Sequence, residues 1–202
     1  MPRIRAESIA AHKEVSRTAI LDAAQMVFLA SGYSGGSLTA IADVSGLPRT
    51  TIYEYFPSKG HILMAVLSDR IPPLIDGMLD RIEEASPLET INQLFAGAVD
   101  LVVQAPELAV LMFRVGRELP KGVRDQMWQL LNPVTDELFR QCRLGAEAGT
   151  FVTAHPHRYG MVLADMLVSA IDELTHENDA RKAAPAVLAS RIAFIRGGLL
   201  GA

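Results

Sequence analysis

An all-α fold is what this sequence predicts, and three observations predict it. Apolar residues recur at helical spacing through nearly the whole chain. No stretch alternates with period two long enough to read as a strand. Glycine, proline and hydroxyl residues fall between the periodic runs, where helices start and stop. At 202 residues, half of them hydrophobic, the chain has ample material for a core.

The elements follow in order. Ile20, Ala23, Ala24, Val27 and Phe28 keep helical spacing, and Gly32 ends their run. The GYSGGS stretch from Gly32 is a turn cluster. Ser37 suits the cap of a short helix from about Leu38 to Val44, and Gly46 breaks it. Pro48 sits where a third helix begins, because its missing N–H costs little in a first turn. That helix runs to about Phe56, and Ser58 then caps a longer fourth one. Helical patterns continue at about 87–104, 106–118, 121–148, 156–177 and 184–199. Pro72-Pro73 and Asn132-Pro133 are expected to kink or break helices.

Two short helices around a glycine turn suggest a helix-turn-helix. Ala42 is small where the helices would cross, Gly46 permits the turn, and Ile52 plugs the crossing from the second helix. Ile41, Leu47 and Phe56 complete a small core. At about 100° per residue, Ile52 and Phe56 face one way and Thr50, Thr51 and Glu54 the other, with Tyr53 and Tyr55 on the flanks. A recognition helix needs this arrangement, with N-terminal side chains at base edges and flanks at phosphates. Arg49 is suited to guanine and Thr50 to a base or a thymine methyl. Tyrosine and threonine hydroxyls are phosphate donors. Lys59 adds charge at the next helix N-terminus.

Residues 17–64, from RTAILDAAQMVFLASGY to SLTAIADVSGLPRTTIYEYFPSKGHILM, resemble the DNA-binding domain of the TetR family of transcriptional regulators. TTIYEYFPSK is the most specific part. PELAVLMFRVGRELP resembles a common start to the central helices of that family's second domain. The resemblance implies an N-terminal helix-turn-helix domain, here 1–62 with 1–15 partly a flexible tail, and a helical ligand-binding and dimerisation domain at 63–202. It implies a cytoplasmic homodimer that binds a palindromic double-stranded DNA operator, usually represses, and lets go when a small ligand shifts the reading heads. Ser37 matches a capping hydroxyl that contacts phosphate, and Thr39 a position that often holds a longer base reader. Arg49 and Thr50 match base-reading positions; Thr51, Tyr53, Tyr55 and Lys59 match phosphate-contacting ones. Thr39 and Ala40 carry no charge where the family often has Arg followed by Asp or Glu. Glu54 is acidic on the DNA-facing side, where it either accepts from cytosine N4 or is repelled by phosphate. Arg3, Arg5 and Lys13 read either as a minor-groove arm or as a frayed, solvated tail.

Charge fits this division weakly. Residues 1–70 hold seven Lys and Arg against six Asp and Glu, leaving 12 against 17 for the rest. In the second part, Phe95, Met112, Phe113, Met127, Trp128, Phe139 and Cys142 are candidates for an adaptable apolar ligand pocket, or simply for the core. Arg114, Arg117 and Glu118 would offer a polar anchor. Asn132-Pro133 would free carbonyls in mid-helix, lining a cavity or marking a surface kink. The last two helices carry apolar residues on more than one face, as a four-helix dimer interface would, or as helices buried within one subunit would.

Other classes find little support. The start MPRIRAESIAAHKE lacks the apolar stretch of a secretory signal, and no run approaches the roughly 18 apolar residues of a membrane span. Cys142 is the single cysteine, which excludes an internal disulfide. His155 and His157 at i, i+2 do not share a helical face, so no metal and no cofactor are expected. An all-α enzyme remains a rival without a base, nucleophile or metal cluster to carry it. A same-fold regulator answering to a protein partner, or to nothing, is the other.

Overall fold

The computed structural model describes residues 2–201, with side chains from residue 11 onward. Ten helices make up the described chain: α1 (Pro2–Gly35), α2 (Leu38–Ser45), α3 (Arg49–Tyr55), α4 (Lys59–Leu79), α5 (Pro87–Gln104), α6 (Pro106–Phe113), α7 (Lys121–Trp128), α8 (Asn132–Glu147), α9 (Pro156–His176) and α10 (Ala180–Leu200). Two 3₁₀ turns, Val115–Glu118 and Gln129–Leu131, follow α6 and α7. No strand occurs among the described residues.

Local chemistry accounts for most boundaries. Gly32 is left-handed at φ 69°, so α1 breaks where the sequence run ends. Ser37, Ser58 and Ser86 cap α2, α4 and α5 by accepting from backbone N–H groups three residues on. Gly46 ends α2 in the left-handed region at φ 68°. Asp179 caps α10 by accepting from Lys182 N–H at 3.0 Å, which starts that helix four residues before the periodic run at 184.

Three expectations are corrected. Pro72 and Pro73 do not break α4. The carbonyls they deprive, on Ser68 and Asp69, belong to exposed residues that water serves, while buried Ile71, Ile75 and Met78 hold the helix to the core. The run at 106–118 is a helix and a 3₁₀ turn, joined at Arg114 (φ −105°, ψ −60°). The run at 121–148 is two helices. Pro133 stands in the first turn of α8, where no N–H is missed, rather than in mid-helix.

α1, α2 and α3 form the head, and α1 also packs along α4. The expected domain division at 62/63 falls inside α4, so head and body share that helix. α5 lies within the body against α8, α9 and α10. At Ala105-Pro106 the chain turns through 103° into α6, which packs on α9. By length and mean hydropathy (1.3) alone α10 would suit a membrane span. It nevertheless packs on α5 and α9, carries Arg191 and Arg196, and pairs Arg191 with Glu173 of α9 at 2.6 Å.

Candidate nucleic-acid interface and apolar cavity

The head is built around three buried side chains: Ile41 of α2, Ile52 of α3 and Phe56 just beyond it. Ile52 N–H donates to Pro48 carbonyl at 3.2 Å, which starts α3 directly after the proline. Gly36 lets the chain enter α2 against α1, since a Cβ there would lie 2.8 Å from the Phe28 ring. Ser37 is exposed, and its Oγ accepts from Ala40 N–H at 3.1 Å.

The outward face carries Thr39, Arg49, Thr50, Tyr53 and Glu54, all exposed. Thr51 and Tyr55 are half-buried, and the Tyr55 ring leans on Phe56 with centroids 6.4 Å apart. Arg49 does not extend freely. Its guanidinium sits over the Tyr53 ring, 5.5 Å from the centroid, and donates to the Tyr53 hydroxyl at 3.0 Å. Lys59 departs furthest from expectation. Its ammonium donates to the carbonyls of Tyr33 (2.7 Å), Gly36 (3.1 Å) and Ser34 (3.4 Å), and lies 4.4 Å from the centre of the Tyr33 ring. These are the orphan acceptors at the end of α1. Lys59 therefore closes the turn into α2 rather than projecting to solvent. Lys13 is exposed on α1, while the side chains of Arg3 and Arg5 lie outside the described residues.

The body holds one strongly apolar cavity of about 70 Å³. Its walls are Ile71, Leu74, Ile75 and Met78 of α4, Ala98, Leu101 and Val102 of α5, Leu108, Ala109, Met112 and Phe113 of α6, and residues of α8 and α9. Thr135 is the one polar side chain among its lining residues. Of the pocket candidates read from sequence, Met112 and Phe113 line it. Phe95 is fully buried core outside the lining. Met127 packs on Gly116, and Trp128 meets Phe113 edge-on at 5.4 Å from behind the wall. Phe139 stacks on His157 at 4.9 Å, at the α8–α9 seam. Cys142 is fully buried, and burial pushes its thiol up to about 11. The break at 129–131 sets Met127 and Trp128 on a separate short helix, α7, which packs against α4 and the 3₁₀ turn after α6. The other lining residues, Leu74, Leu101 and Ala109 among them, were not read from sequence as pocket residues, and the plain aliphatic side chains that make up most of the wall carry no signal that separates wall from core.

The expected polar anchor also lies elsewhere. Arg117 pairs with Asp172 of α9 at 2.8 Å. Arg114 reaches the Thr175 carbonyl at 3.5 Å. Glu118 points to the head, where its Oε2 accepts from Ser34 N–H at 2.8 Å. Hydrogen bonding at Ser34, and more weakly the Lys59 charge, holds its carboxyl below the usual range. Among the described residues, no group of three or more His, Cys, Asp or Glu is placed to hold a metal ion.

The head matches the family profile described as bacterial regulatory proteins, tetR family, over residues 20–66. The transcriptional regulator SrpR of Pseudomonas putida is 42% identical over 69 residues, 34% of this chain but only 32% of that relative. The likeness thus spans about a third of SrpR's length. Two solved structures share the fold through head and body. FadR from Bacillus subtilis, solved with stearoyl-CoA, has a TM-score of 0.73 at 20% identity, over 87% of this chain and 97% of that one. AibR, solved with isovaleryl coenzyme A and operator DNA, has 0.70 at 18%, over 92% and 98%. The family profile thus covers the head, from within α1 into α4, and beyond it the likeness to these solved structures is one of fold.

Proposed function

We propose that the chain is a sequence-specific DNA-binding regulator, a repressor released from a palindromic operator when an apolar ligand fills the body. The observation that carries this reading is the exposed N-terminal face of α3 on a well-packed head. Arg49 and Thr50 are its base readers; Ser37, Thr51, Tyr53 and Tyr55 contact phosphate; Thr39 faces the groove beside them. Lys59 serves the interface from behind by fixing the turn that presents Ser37. Glu54 is a specificity element against non-cytosine bases or a brake on non-specific affinity. The protein acts as a homodimer through α9 and α10, where Met161, Val162 and Phe194 are exposed at 51%, 52% and 67%. Two-fold symmetry would then set the recognition helices about 34–36 Å apart, or a multiple of that.

The apolar lining favours a ligand whose bound part is hydrocarbon. An acyl thioester of coenzyme A is a specific version of this, supported by what FadR and AibR were solved with. Its acyl chain suits the walls, and its charged part would sit outside, since no lining side chain is charged. An enzyme reading has no assembled catalytic group to support it.

Fluorescence anisotropy with DNA from immediately upstream of the protein's own gene, against random DNA of equal length at two salt concentrations, tests the reading. A preference of about 10³ or more is expected. Equal binding to both DNAs would remove sequence recognition at that site, and no binding to either would remove the DNA reading altogether.

A further inference from the structure

Head and body meet where α1 packs on α6 and the 3₁₀ turn after it, and one carboxylate bonds across that contact. Among the described residues, Ser34 N–H to Glu118 is the one side-chain hydrogen bond joining residues 11–58 to anything beyond α4. The turn it grips, 33–36, is held from the other side by Lys59. Ser37, the cap of α2 and a residue of the exposed face, follows directly. Glu118 also crowds Gly32, where a Cβ would come within 3.0 Å of its Oε1. Leu119, the next residue, lies beside Gly60 at the start of α4.

Glu118 stands five residues after Phe113, the last cavity-lining residue of α6. A cavity of about 70 Å³ is far below the roughly 300–1,000 Å³ of ligand pockets, so an occupant must push its walls apart. α4 is poorly placed to yield alone. Arg17 of α1 is paired with Asp69, and Arg70 reaches back to Asp22 and Gln25, so α1 and α4 move as one piece. α6 is only eight residues long, between a 103° corner and a 3₁₀ turn. A shift of about 1 Å at its end would carry a 2.8 Å bond out of hydrogen-bonding range.

We propose that Glu118 is the positioning residue through which filling of the cavity reaches the DNA-reading head. Its consequence for DNA rests on the function proposed above; the mechanical link does not.

The test uses the full chain, with Ala109→Met as a built-in cavity occupant and Ala98→Met filling the same space from α5. Backbone hydrogen exchange of residues 32–37 reads the link, and affinity for a selected operator reads its effect. Cavity filling should speed exchange at Ser34 about tenfold. Glu118→Ala should do the same alone, and adding Ala109→Met to it should change nothing more. Glu118→Gln, which keeps an acceptor, should restore most of the protection. Operator affinity should fall about tenfold with Ala109→Met in the wild-type background and less than about twofold in Glu118→Ala. Exchange at 32–37 unmoved by either filling variant would overturn the proposal. So would an equal loss of operator affinity in both backgrounds. If no variant binds DNA but exchange behaves as stated, the link stands and the proposed function falls.

Discussion

Replacing Lys59 separates two roles that the sequence alone leaves merged. If Lys59 were a free phosphate donor, Lys59→Met would leave stability untouched and reduce the salt slope of DNA binding by about 1. The structure puts its ammonium on three carbonyls at the end of α1, two of them at 2.7 and 3.1 Å. A hydrogen bond to a charged group contributes about 1.5–3 kcal/mol when well buried. These bonds are part-buried, and water would replace some of what is lost. The contact with the Tyr33 ring adds about 0.5–1 kcal/mol at an accessible site. Taken together, Lys59→Met should destabilise the fold by about 2 kcal/mol. Urea unfolding followed by circular dichroism, at one fixed protein concentration, reads this as a lower midpoint with an unchanged slope. Lys59→Arg should rescue poorly, because a planar fork cannot aim at three converging carbonyls as an ammonium does. An unchanged midpoint together with a reduced salt slope would refute the internal role.

Three further outcomes are expected. Arg49→Ala should cost about 1–3 kcal/mol of operator affinity and relax preference at one base position, as binding to single-base operator variants would show; equal losses on all variants would make Arg49 a phosphate contact. Gly36→Ala should lower the thermal midpoint, because its Cβ meets Phe28 at 2.8 Å and the Gly32 carbonyl at 3.1 Å, an overpacking of about 1–3 kcal/mol. The Cys142 thiol is raised from 9.0 to about 11 by desolvation, so its proton is held more tightly in the folded chain than in the unfolded one. That contribution is fully present below about pH 9 and declines as pH rises toward about 11, by about 1.4 kcal/mol per pH unit. Unfolding measurements on Cys142→Ala should show a flatter fall over that window than the wild type.

Sequence reading located what local chemistry decides. Ser37, Gly46 and Ser58 were legible because a cap or a left-handed turn depends on a few neighbouring residues. The inward set of Ile41, Ile52 and Phe56 followed from helical spacing alone. The cavity was not legible in the same way. Whether Met127 and Trp128 line it depends on where the 121–148 run breaks, and the Asn132-Pro133 step does not say on which side of itself the helix ends. Lys59 and Glu118 were misplaced for a related reason. Their partners lie 26 and 84 residues away, and nothing in the spacing of either side chain points there. An acidic residue after a central helix looks like a ligand anchor until the turn at 33–36 is seen beside it.

The size of the cavity bounds how strongly an occupant acts on the head. Each methylene buried contributes about 0.8 kcal/mol. The present space admits only a few such groups, so a longer chain must use part of its burial energy to separate α6 from α4. Only the part of that energy that differs between the DNA-bound and released states shifts the equilibrium. Regulatory coupling of about 1–3 kcal/mol would require no more than the difference between one charged hydrogen bond made and lost, which is what Glu118 would supply at Ser34 under the proposed link. Under the proposed function the same linkage runs in reverse: operator DNA, if it favours the gripped turn, would weaken ligand affinity by the factor through which ligand weakens DNA affinity. A chain ligand that bound equally well with and without operator would therefore be an occupant of the cavity but not an effector of the head.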